Sequence, residues 1–165
     1  MSETALDQVS PDPLAPIAWL TGHWEGSGNG TTDSGEYDCA VTVDFASNGG
    51  DYLHYVLQWF ETDDAGVALK SLGMESGFWR MAADGGVESV IAAPHGVAEI
   101  LLGSITGARI ELTSDVVART ASAVPPVTAS HRLLGNVDGD LMFVFEQASD
   151  QAELAPYLWA RLVRQ

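Results

Sequence analysis

From Tyr37 onward, apolar and polar residues alternate with period two, in short runs separated by turn-forming clusters. Tyr37-Asp38-Cys39-Ala40-Val41-Thr42-Val43-Asp44-Phe45 is the clearest run. Side chains of a strand point alternately to its two faces, so such a run has one face for a core and one for solvent. The same reading predicts strands over Gly22–Gly28, Tyr52–Phe60, Val67–Met81, Val87–Ala93 and Ala98–Ser104, and over Arg109–Thr113, Thr128–Leu134, Leu141–Glu146 and Tyr157–Val163. Asn48-Gly49-Gly50, Asp63-Asp64-Ala65-Gly66, Asp84-Gly85-Gly86, Pro94-His95-Gly96, Thr106-Gly107 and Asn136-Val137-Asp138-Gly139 supply the turns. About ten short strands at this even spacing predict an all-β fold, an antiparallel up-and-down β-barrel. No helical periodicity competes.

The first strand has its own logic. In Leu20-Thr21-Gly22-His23-Trp24-Glu25-Gly26-Ser27-Gly28, the glycines let backbones approach closely and bend, so Gly22, Gly26 and Gly28 suit a strand turning a barrel corner. Trp24 then points inward and plugs one end. Upstream, Pro16 to Leu20 predicts one helical turn closing the base, with proline at its first position. Residues 1–15 read as an extended or disordered tail and 16–165 as the barrel domain. Asn29 to Glu36 reads as a flexible loop, Ala121 to Pro126 as a break, and Gln147 to Pro156 as a short helix or a cover over one rim.

Composition narrows the partners. The chain carries 7 Lys and Arg against 23 Asp and Glu, a net charge of −16, so neither nucleic acid nor an anionic membrane surface is an expected partner. Cys39 is the single cysteine, which excludes an internal disulfide and a thiolate cluster and fits a cytoplasmic protein. Met1 to Pro16 shows neither the basic region nor the apolar run of a signal peptide or anchor. The four histidines are scattered, without zinc spacing, and no metal is expected. A homodimer through the barrel exterior stays open.

A barrel of about ten strands is wider than its own side chains fill, which predicts a cavity for a small apolar molecule. Trp59, Met74, Phe78, Met142 and Phe143 are candidates to line it; the alternative is that they are core. Glu75 with Arg119, or Glu99 with Arg132, would make buried ion pairs that fix register or, alternatively, supply an acid or base.

Several segments together resemble one family. Gly22-x-Trp24-x-Gly26-x-Gly28 is similar to the start of the nitrobindins, small barrels shaped like lipocalins and fatty-acid-binding proteins. Met74-Glu75-Ser76-Gly77-Phe78-Trp79-Arg80 resembles their central strand, and Val87 to Glu99 their V-E-x-V-x-A-x-P-x-G-x-x-E hairpin. Val117 to Thr120, Val127 to Arg132 and Tyr157-Leu158-Trp159-Ala160-Arg161-Leu162-Val163-Arg164 resemble later strands. The resemblance implies a haem pocket, reversible nitric oxide binding and isomerisation of peroxynitrite to nitrate, all resting on a histidine that opens the closing strand. Tyr157 stands at that position. Gly73 stands where some members carry a second histidine, and Thr32 or Ser34 is the positional match for a threonine that approaches the cofactor. The expectation is therefore a small-molecule-binding barrel without a cofactor. The alternatives are haem b held by Tyr157, with Arg132 on a neighbouring strand as the cation that would lower its phenol, since Arg161 on the same strand face lies about 13 Å along the strand and is a poor partner, or a metal-free enzyme using the cavity.

Overall fold

The computed structural model describes residues 10–165. Ten antiparallel strands follow a short 3-10 helix, η1 (Ala15–Leu20). They are β1 (Gly22–Thr32), β2 (Gly35–Ala46), β3 (Leu53–Thr62), β4 (Ala68–Met81), β5 (Val87–Ala93), β6 (Val97–Thr106), β7 (Arg109–Arg119), β8 (Val127–Val137), β9 (Asp140–Ser149) and β10 (Ala152–Arg164). Each pairs with its neighbours in sequence and β1 pairs with β10, so the sheet closes on itself and has no free edge. No helix among the described residues is long and apolar enough to cross a membrane.

One end of the barrel is packed solid. Ile17 and Leu20 of η1 and Trp24 of β1 are fully buried there, and the Trp24 indole N–H donates to the Leu20 carbonyl at 2.7 Å. The Arg164 guanidinium lies 4.3 Å from the centre of the Trp24 ring and donates to the Trp19 and Thr21 carbonyls, tying the end of β10 to η1. Gly26 and Gly28 have a structural reason: a methyl at either would collide with a β10 backbone carbonyl, that of Arg161 or of Trp159. Cys39 is buried between strands, and burial, then the Asp38 charge, pushes its thiol up to about 11, so it is an inert core group.

Two sequence expectations are corrected. Asn29 to Glu36 is no loop: β1 runs on to Thr32, and Asp33-Ser34 turn the chain straight into β2 at Gly35, with the Ser34 N–H donating to Thr32 Oγ1. Gln147 to Pro156 is no helix or cover, because Gln147 and Ala148 pair with Ser130 and Ala129 of β8, and β9 and β10 join in a tight hairpin. At the N-terminus the helix begins at Ala15, and Leu14 before it is already buried against the core; the expected tail lies outside the described residues for positions 1–9.

Candidate functional site

At the end opposite η1, where the turns after β1, β3, β5, β7 and β9 gather, the barrel holds an open cavity of about 820 Å³. That size lies within the range of about 300–1,000 Å³ usual for small-molecule sites. Its floor is a layer of buried charge. Arg132 of β8 is 1% exposed, bonded to both oxygens of Glu75 of β4 (3.0 Å from Nη2 to Oε2) and reaching Glu99 of β6 at 3.2 Å. Tyr55 donates to Glu75 at 2.7 Å, Ser130 donates to Glu99 at 2.5 Å, and the guanidinium rests 4.5 Å from the centre of the Phe145 ring. Burial works against the charge on Arg132, but Glu75 and its other anionic or polar neighbours outweigh it and hold the guanidinium firmly protonated. Each buried ion thus has partners, as the cost of burying charge requires. Of the two sequence-derived pairings, Glu99 with Arg132 forms. Glu75 with Arg119 does not: Glu75 takes Arg132, and Arg119 turns to Asp150 and the Pro126 carbonyl.

The cavity wall carries Tyr37, Trp59 and Tyr157. Tyr157 reaches it through a β-bulge, because the β9 partner shifts from Glu146 at Pro156 to Phe145 at Leu158 and leaves Tyr157 unopposed. The bulge breaks the two-residue period, so Arg161 does not share its face and instead extends outward to Asp140 at 2.6 Å. Arg132 is the cation that acts on Tyr157, beyond the Phe145 ring that both approach. Burial dominates nonetheless and, with the charges of Glu75 and Glu99, pushes the Tyr157 phenol far above its ordinary value. It is a neutral phenol, and among the described residues it has no hydrogen-bond partner.

Two glycines make room for the other aromatics. A methyl at Gly73 would strike the Trp59 ring, and one at Gly30 would strike the Tyr37 ring. The position matched to a second histidine is thus covered by an indole. Burial also raises the Tyr37 phenol, and the neighbouring Trp59 indole partly offsets the rise.

The other candidates divide. Thr32 lies on the cavity wall; Ser34 lies in the exposed turn beside it and does not line the cavity. Met74 and Phe78, 37% and 51% exposed, face outward, because Glu75, Gly77 and Trp79 take the inward positions of β4. Met142 also lies off the cavity wall, in an exterior apolar depression with Val144 and Trp159, while Phe143 is core. The cavity residues that the sequence reading missed are Tyr37 and His95, which were assigned only to a strand and a turn, together with the mouth carboxylates Asp33 and Glu153.

This arrangement of side chains does not suit haem. A ferric ligand at position 157 must be a phenolate, which calls for a cation beside it, and the guanidinium on that side, Arg132, is committed to Glu75 and Glu99. His95 is the histidine on the wall, yet it sits in an exposed turn and makes no hydrogen bond to the described residues, whereas an iron-ligating imidazole is normally oriented by a bond from its other nitrogen. Among the described residues no Lys or Arg side chain lines the cavity to meet the two carboxylates of a haem, and no three His, Cys, Asp or Glu side chains are grouped to hold a metal. The donor set does not fit the group.

Comparison with known proteins assigns the family. The model of the THAP4-like, heme-binding beta-barrel domain matches residues 13–164. A Cutibacterium acnes protein named ferric nitrobindin-like protein is 50% identical over 160 residues, 96% of each chain, and a Nocardioides protein named peroxynitrite isomerase is 38% identical over the same share. The crystal structure of Rv2717c from M. tuberculosis superposes with a TM-score of 0.81 at 31% identity, covering 94% of this chain and 98% of that one. With its closed ten-stranded barrel, its capped end and its open cavity, the chain belongs to the nitrobindin family of haem-binding-type β-barrels.

Proposed function

We propose that this protein binds a small molecule with an apolar body in the open cavity and does not hold haem through iron. The observation that carries the reading is the geometry around Tyr157: at the position where the family resemblance places the iron ligand, this phenol stands on the cavity wall over a charge layer whose cation is already committed to two carboxylates. Trp59, folded over Gly73, adds an apolar wall where a second polar ligand would stand. Glu75 is held by Arg132 and Tyr55 and Glu99 by Arg132 and Ser130, which argues against their use as a free acid and base pair.

An ultraviolet–visible titration with ferric haem tests this. The wild type is expected to give no saturable Soret shift, and Tyr157→His to gain one. One haem bound by the wild type and lost in Tyr157→Phe would make the phenol a ligand after all; loss in His95→Ala would assign that role to the turn histidine.

A further inference from the structure

The cavity has a one-sided charge. Asp33 and Glu153 stand at its mouth and Glu75 and Glu99 at its floor, while Arg132 beneath the floor neutralises only one of the latter pair. The cations toward that end of the barrel are elsewhere: Arg119 is paired with Asp150, and Lys70 is exposed on β4 and not part of the wall. Within the floor, Glu99 is the carboxylate held more weakly by Arg132, at 3.2 Å; it accepts one bond at each oxygen, from Ser130 and from Arg132, and faces the cavity with its remaining lone pairs. Above it, Trp59, Tyr37 and Tyr157 present three aromatic side chains to the same space.

Carboxylates in a concave, partly desolvated wall concentrate a negative potential, and the faces of indole and phenol rings attract a cation with the same sign preference. Both features select positive charge. Building on the proposed small-molecule reading, we infer that the cavity takes an organic cation, a protonated or quaternary amine on a flat apolar body, with the body against Trp59 and Tyr157 and the positive group toward Glu99. Anionic amphiphiles, haem and fatty acids included, are disfavoured by the same field.

Three probes with one aromatic body separate charge from shape: a naphthylmethyl trimethylammonium salt, naphthalenemethanol and naphthylacetate, each titrated into the full-length protein by calorimetry. The cation is expected to bind about tenfold more tightly than the neutral alcohol, the size of one partly desolvated cation–aromatic contact, and the anion not at all. Raising salt should weaken the cation and leave the alcohol unchanged. Glu99→Gln should shrink the preference for the cation while keeping the alcohol's affinity, and Trp59→Leu should weaken both, the cation more. Equal binding of cation and alcohol, or tighter binding of the anion, overturns the charge inference and leaves the small-molecule reading standing. If none of the three binds, both fall together.

Discussion

The two ends of this barrel use the same residue types for opposite purposes. At the closed end a tryptophan makes contact, and along the β1–β10 seam that runs up from it glycines do: Trp24 is fully buried under η1, and Gly26 and Gly28 let β1 approach the β10 backbone. At the open end a tryptophan and a glycine make space: Trp59 is half-buried on the cavity wall and folds over Gly73. The difference lies in what each glycine meets. Beside Gly28 is a backbone carbonyl that the ladder holds in place; beside Gly73 is the far edge of a side chain that can swing away. One end is therefore fixed by the fold, and the other is free to be shaped for a ligand.

The largest effect follows from that contrast. Gly28→Val should give no cooperatively folded protein, since neither β1 nor β10 can retreat without losing the pairing that closes the barrel. Gly73→Ala should fold, at a cost of about 1–3 kcal/mol for displacing the Trp59 ring, with a changed tryptophan fluorescence and altered affinity for cavity ligands. Circular dichroism and denaturant unfolding of the two variants decide the matter. Similar stability losses in both would erase the distinction between the ends.

A smaller effect separates the two tryptophans. Trp24→Ala removes a fully buried ring together with the hydrogen bond to Leu20 and the stacking of Arg164, so it should cost about 3–5 kcal/mol. Trp59→Ala, at a part-exposed wall position, should cost about 1–2 kcal/mol while opening the cavity. Chemical denaturation measures both. A Trp59 loss as large as that of Trp24 would mean the open end is core rather than site.

The same contrast explains what could be read from the sequence. The closed end was legible because its signals are local: a glycine-tryptophan spacing, a proline-led turn and the hairpin turns after β2, β4, β6 and β8. Gly107 and Gly139 show why those turns are reliable, since both adopt the left-handed backbone that other residues resist. The open end was harder to read because its determinants are not local. Glu75 faces inward only because Arg132, 57 residues later, waits for it, and this places Met74 and Phe78 outside although they look like core. Tyr157 lines the cavity only because a bulge shifts the strand by one residue, which no alternating pattern records. The turn at Asp33-Ser34 reads as a loop by composition and becomes a hairpin tip by pairing.

The smallest effect concerns the rim of the closed end and its dependence on pH. His23, at the start of β1, is held by Asp44 at Nδ1 (2.7 Å) and Glu25 at Nε2 (2.8 Å), and these bonds, first to Glu25 and then to Asp44, raise its pKa above the usual 6.5. A group bound more tightly to its proton in the folded state stabilises the fold fully below its unfolded pKa and loses that contribution as pH rises through the folded value. The wild type should therefore gain stability over His23→Gln as pH falls from about 8 to about 6. Because the triad is exposed, the difference should not exceed about 1 kcal/mol, and added salt should shrink it. Parallel denaturation curves at the two pH values measure it: an unchanged difference, or one that grows toward high pH, would show that the closed end owes its strength to packing alone and nothing to this ionic rim.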